Sequence, residues 1–161
     1  MNNPLWNPEN KTASIRKWAE HLHKESKRVF LQDKTHAHLI FLFSNDGPVS
    51  ISPVPPKTEN AQVHNGIVQA VRQNNLYAVI HIGEAWTYFR KGKEDHTAFQ
   101  IMDGEMRVAD LRAEDKVEVL YLRMESRDGD SVMYLDKIVR DGDSVTLGDG
   151  KTINGEERNW F

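Results

Sequence analysis

Cysteine is absent from this 161-residue chain, which removes disulfides, thiolate zinc sites and a cysteine nucleophile together. Any chemistry rests on histidine, carboxylate or hydroxyl groups. An excess of positive charge is also missing: 21 Lys and Arg against 24 Asp and Glu give a formal net charge of −3 with the histidines neutral. A field of that sign does not favour the attraction to phosphates that drives most nucleic-acid binding, so no nucleic-acid partner is expected. No apolar run approaches the ~20 residues that a membrane helix needs. Residues 1–8 hold no basic segment followed by an apolar one. A cytoplasmic protein with no membrane partner is the expectation.

Hydrophobic residues make up 39% of the chain and charged residues 28%, which is a globular composition. A chain of this length forms one core and buries roughly two-thirds of its unfolded surface. No repeat, linker or composition shift divides it, so residues 1–161 are expected to be a single domain.

Residues 1–12 carry two prolines and four asparagines and read as an irregular lead-in that Trp6 pins down. Ile15, Trp18, Ala19, Leu22, Val29 and Phe30 follow helical spacing, with Thr12 or Ser14 to cap a helix ending near residue 30. Its outer face is locally basic, as solvated helix faces often are. Residues 36–43 form an apolar strand-length run, followed by the turn Ser44-Asn45-Asp46-Gly47 and a second strand at Val49–Ile51. Pro53, Pro55 and Pro56 end that strand, and Thr58 caps a helix carrying Val63, Ile67, Val68 and Val71. Residues 76–89 are apolar at both parities and read as a central strand covered on both faces. A short helix through Ala98, Phe99, Ile101 and Met102 follows. Strands at 117–124, 132–139 and 145–147, joined by Asp128-Gly129 and Asp141-Gly142 turns, then form a meander. Residues 148–161 read as a polar tail ending in Trp160-Phe161.

The fold expected is α+β: a single, mainly antiparallel five- to six-stranded sheet with helices packed on one face, in the order α-β-β-α-β-α-β-β-β. That order resembles the profilin-like and roadblock-like folds, and the Asn45-Asp46-Gly47 hairpin after a leading helix resembles PAS sensor domains. Residues 57–74 hold less helix than a PAS domain places between its second and third strands. Element order alone transfers no functional residue.

His36-Ala37-His38 is the sharpest chemical pattern, because a strand puts i and i+2 on one face and aims both imidazoles at one point. A divalent metal there needs a third ligand, with Asp46, His81 or Glu84 as suppliers. The pattern resembles the metalloprotease family in which a His-x-His pair is followed by Ser and Asp, here Ser44 and Asp46. The Ser and Asp spacings are shorter than in that family, and Leu39 replaces its usual proline. The competing account is two histidines opening a strand at its solvated end.

His81 and Glu84 interrupt the central strand with ionisable groups, and a buried carboxylate there must be paired or hydrogen-bonded, with Arg90 or Arg107 as partner. Their parities differ, so they act as one acid–base couple only across a bulge. Gly83 supplies that bulge or marks a close backbone approach. Trp86, Tyr88 and Phe89 run into Arg90-Lys91-Gly92-Lys93, a combination suited to stacking on and neutralising a nucleotide or an acidic peptide, or simply core aromatics entering a polar loop. No glycine-rich phosphate loop and no Gly-x-Ser-x-Gly elbow is present.

Two functions emerge. The first is a non-catalytic binding or scaffold module without a cofactor, which self-associates, with Trp86, Tyr88 and Arg90 as ligand contacts and Trp6 and Trp160 seeking cover. The alternative is a metal-dependent hydrolase with His36, His38 and Asp46 as ligands and Glu84 and His81 in catalysis.

Overall fold

The computed structural model describes residues 5–89, 91–155 and 160–161. The described elements are α1 (Lys11–Asp33), β1 (Leu39–Ser44), β2 (Gly47–Pro53), α2 (Asn60–Asn74), β3 (Ala78–Thr87), α3 (His96–Met102), β4 (Val117–Ser126), β5 (Ser131–Asp141) and β6 (Ser144–Gly155). Two single-turn 3₁₀ segments, Val108–Asp110 and Ala113–Asp115, lie between α3 and β4. The class is α+β, and the sheet has six strands in the order β2-β1-β3-β4-β5-β6, every neighbour antiparallel.

Several boundaries differ from the sequence expectation, each for a local reason. Asn10, rather than Thr12 or Ser14, caps α1, its side chain accepting from the Ala13 N–H. Lys34 closes that helix in the left-handed conformation, its N–H returned to the Phe30 carbonyl. Thr58 does not cap α2, because its hydroxyl donates to the Pro55 carbonyl. The polar tail is mostly strand: β6 continues through Asp149, Lys151 and Asn154 to Gly155, because an edge strand needs only one ladder and tolerates polar side chains on its solvated positions.

The helices are not confined to one face. Strand alternation separates two apolar layers, and each recruits its own helix. On the first face, Phe41, Phe43, Ile80, Ile82, Leu122 and Met124 meet Ile15 and Ala19 of α1. On the reverse face, Ile40, Leu42 and Val79 meet Ile67 and Val71 of α2. The lead-in is pinned as expected: Trp6 stacks on Phe43 at 5.8 Å between ring centres, and its indole N–H donates to the Asn45 carbonyl in the hairpin turn. Full burial of side chains such as Phe43 and Ile80 contributes about 1.5–3 kcal/mol each.

The C-terminus closes the reverse face. Glu125, fully buried on β4, accepts the backbone N–H groups of Trp160 and Phe161 and also pairs with Arg123. Trp160 is thereby laid into the α2 layer, with the Arg123 guanidinium 4.8 Å from its ring centre. The terminal tryptophans thus find cover inside this chain.

Candidate functional site

Only part of the reverse face is covered. Beyond the α2 layer, a cleft of about 300 Å³ opens between that helix and the sheet. Its floor is a cross-strand row fixed by register, His81 beside Arg123 and Gly83 beside Tyr121, with Met133 and Leu135 following on β5. Its walls are Asn60, Val63 and His64 of α2, the C-terminal Trp160, and the end of β3 at residues 85–87. A second cleft of about 410 Å³ adjoins it through the shared Leu135 and runs to Phe89, Lys137 and Lys151. Among the described residues, α2 is the one helix that lines either cleft.

His81 and Tyr121 form the polar centre of the floor, Tyr121 Oη lying 3.0 Å from His81 Nε2. Burial pushes the His81 pKa down to about 4, helped by His38 and the Arg123 guanidinium, so the imidazole is neutral at pH 7. Burial also raises the Tyr121 pKa, which keeps the phenol protonated. This neutral pair can exchange hydrogen bonds with a ligand. It offers neither an activated nucleophile nor a charged acid.

His38 completes the group, its ring centre 6.0 Å from that of His81 and 6.2 Å from that of Tyr121. The ring lies over Gly83, where a Cβ would come within 2.8 Å of His38 Cδ2, and His38 Nε2 is 3.0 Å from the Glu84 carbonyl oxygen. Gly83 therefore marks a close approach. It makes no bulge, since the β3–β4 register runs unbroken from Ala78 to Thr87.

The proposed metal ligands are not brought together. β1 starts at Leu39, so His36 and His38 precede the strand and do not share a strand face. His36, expected at a solvated end, is buried, and its Nδ1 lies 2.6 Å from the Ala37 carbonyl oxygen. Asp46 sits in the hairpin turn at the other end of β1, roughly 20 Å along the strand. Among the described residues no group of three or more His, Asp or Glu side chains is placed to hold a metal ion.

Glu84 points to the α1 face, opposite Leu120, and His81 to the reverse face, as their parity requires. Glu84 is half-buried and accepts the His36 N–H at 3.2 Å, whereas Arg107 pairs with Asp110. Arg90 lies outside the described residues. The Tyr88 hydroxyl donates to Asp95, the residue that caps α3, and with the Lys91 N–H holds that carboxyl at a pKa of about 2. That bond gives Tyr88 a structural task. Trp86 has the parity of Glu84 and so turns away from the cleft, 47% exposed, with Lys116 Nζ 4.8 Å from its ring centre.

Sequence reasoning passed over Tyr121, Arg123 and Trp160 as site residues, because strand pairing and the C-terminal return set them beside His81. It also passed over His23, whose Nε2 lies 2.6 Å from Asp136 on the α1 face and whose ring stacks on Tyr134 at 4.2 Å. His23 and Asp136 are 113 positions apart, so no local pattern links them.

No described helix is long and apolar enough to cross a membrane. No curated protein and no solved structure matches the chain. The family described as bacteriophage lambda protein ea47 matches residues 2–161, nearly the whole chain, and the protein belongs to that family.

Proposed function

We propose that this phage-family protein is a non-catalytic binding module whose ligand site is the reverse-face cleft. The observation that carries this reading is the neutral His81–Tyr121 pair set in a floor of Val119, Met133 and Leu135 beside Trp160. A few convergent polar groups in a mostly apolar concavity suit small-molecule or side-chain recognition. The anionic fluorophore anilinonaphthalene sulfonate tests it. About one equivalent is expected to bind the folded chain and to be lost when Ala85→Trp fills the cleft. Equal uptake by both proteins, or none by either, overturns the reading.

Self-association belongs to the same proposal through a different surface. Val49 and Ile51 on edge strand β2 are 59% and 61% exposed, an apolar pair beside the main core. Pro48 and Pro53 remove two N–H groups from that edge, so the contact is one of side chains more than of an added ladder.

A further inference from the structure

Among the described residues that line the cleft between α2 and the sheet, Arg123 is the one Lys or Arg, and there is no Asp or Glu. Its side chain keeps 22% exposure, and the described acceptor of its guanidinium is Glu125 Oε2 at 3.3 Å. A guanidinium carries five N–H donors in a planar fork, so one such bond leaves donors for a ligand. Glu125 does not cancel the charge on the cleft side: it is fully buried, and its Oε1 accepts the Trp160 and Phe161 N–H groups. The field at His81 has the sign that this predicts, since the Arg123 guanidinium helps to lower the imidazole pKa and no described carboxylate opposes it. The His81–Tyr121 pair adds a further donor. One imidazole N–H and one phenol O–H share a single mutual bond, so a hydrogen remains to donate, on whichever residue carries it. Around these groups the lining is apolar, with Val63, Ile67, Val119, Met133 and Leu135.

We propose that this cleft binds a small organic monoacid, its carboxylate received by Arg123 with the His81–Tyr121 pair and its apolar body laid between α2 and the sheet. Three features argue for this occupant. A carboxylate only accepts hydrogen bonds, and the groups that converge here have donors to give it; the planar fork of Arg123 matches its two oxygens. One cation in an apolar setting suits one negative charge, whereas a dianionic phosphate ester brings a second charge that no second Lys or Arg of this cleft meets. A volume of about 300 Å³ lies at the lower end of small-molecule sites, which favours a compact acid over a peptide. An amine of the same shape would meet the Arg123 charge as repulsion.

This inference rests on the cleft being a binding site, and its failure can be told apart from the failure of that reading. The test is displacement of anilinonaphthalene sulfonate from the full chain at neutral pH by 3-phenylpropionate and by 3-phenylpropionamide, its uncharged counterpart of nearly the same shape. The acid is expected to displace the fluorophore at a concentration about tenfold lower than the amide, because its bonds to the guanidinium are charge-assisted. Binding of the acid should also shift the ring-proton resonances of His81. Arg123→Gln is expected to bring the acid to within about twofold of the amide. Tyr121→Phe, which leaves the Arg123–Glu125 pair intact, should weaken the acid by about three- to tenfold. Circular dichroism checks the fold of each variant, and if Arg123→Gln does not fold, the acid-to-amide ratio of the wild type and Tyr121→Phe decide. Equal potency of acid and amide, no displacement by either up to about 10 mM, or a preference for the acid that survives in folded Arg123→Gln overturns the proposal. Displacement by inorganic phosphate as effective as that by the acid also overturns it, in favour of a general anion site. If Ala85→Trp still abolishes fluorophore binding in those cases, the cleft remains a binding site and only its acid ligand is rejected.

Discussion

The imidazole of His38 lies directly on the Cα of Gly83, in the space that any other residue's Cβ would fill. His38 stands just before β1 and Gly83 near the middle of β3, so this contact packs the loop after α1 against the sheet beside His81. Both neighbours of that ring are backbone groups of β3 or side chains of the cleft floor, and it has little room to retreat.

Gly83→Ala should therefore destabilise the protein, by about 1–3 kcal/mol, because the added methyl overpacks a site closed by a ring. Urea unfolding reads the change directly. His38→Ala in the same background should restore most of the loss, and an additive double variant would show that the two residues do not interact.

Acid should weaken the fold through His81. Its pKa is about 4 in the folded chain and about 6.5 when unfolded, so the unfolded state binds the proton first. The sign follows: stability is complete above about pH 6.5 and falls as pH drops toward 4, by up to about 3 kcal/mol. His81→Asn should flatten that part of the profile. Melting temperatures for both proteins between those pH limits provide the measurement, and identical slopes would sink the assignment.

Glu84 holds the loop by one acceptor bond to the His36 N–H. Glu84→Gln keeps that acceptor and should shift the unfolding free energy by less than about 1 kcal/mol, whereas Glu84→Ala should cost about 1–3 kcal/mol. Equal losses in guanidinium melts would mean that charge, and not this bond, is what matters.

Among the described carboxylates, Glu125 should be the most sensitive to substitution. Replacing it with Ala leaves Arg123 and two C-terminal N–H groups without their acceptor, at a cost of about 3–5 kcal/mol. Trp160 should then leave the α2 layer, seen as a red-shifted tryptophan emission and faster amide exchange at α2. Retained Trp160 protection would count against this role.

Light scattering decides the association proposal. A species of about twice the 18.5 kDa chain is expected at micromolar concentration, returning to the chain mass in Val49→Asp with Ile51→Asp. A wild-type mass of 18.5 kDa across that range rejects it.

Local patterns carried much of the fold. Helical spacing in α1 and α2, the Gly-containing turns of the β1–β2 hairpin and the β4–β5–β6 meander, and the two-sided apolar pattern of β3 are all properties of neighbouring residues, because backbone periodicity and turn chemistry act over a few positions. The parities of His81 and Glu84 were legible for the same reason. Tertiary structure alone decided that α2 lies opposite α1, since an alternating strand offers two apolar faces and does not say which helix takes which. It also decided what surrounds His81: Tyr121 and Arg123 arrive by strand register, and Trp160 by a hydrogen-bonded return to Glu125, 35 residues earlier. Loop closure can bring any of many distant side chains to one place, and only the summed packing of the whole core selects among them.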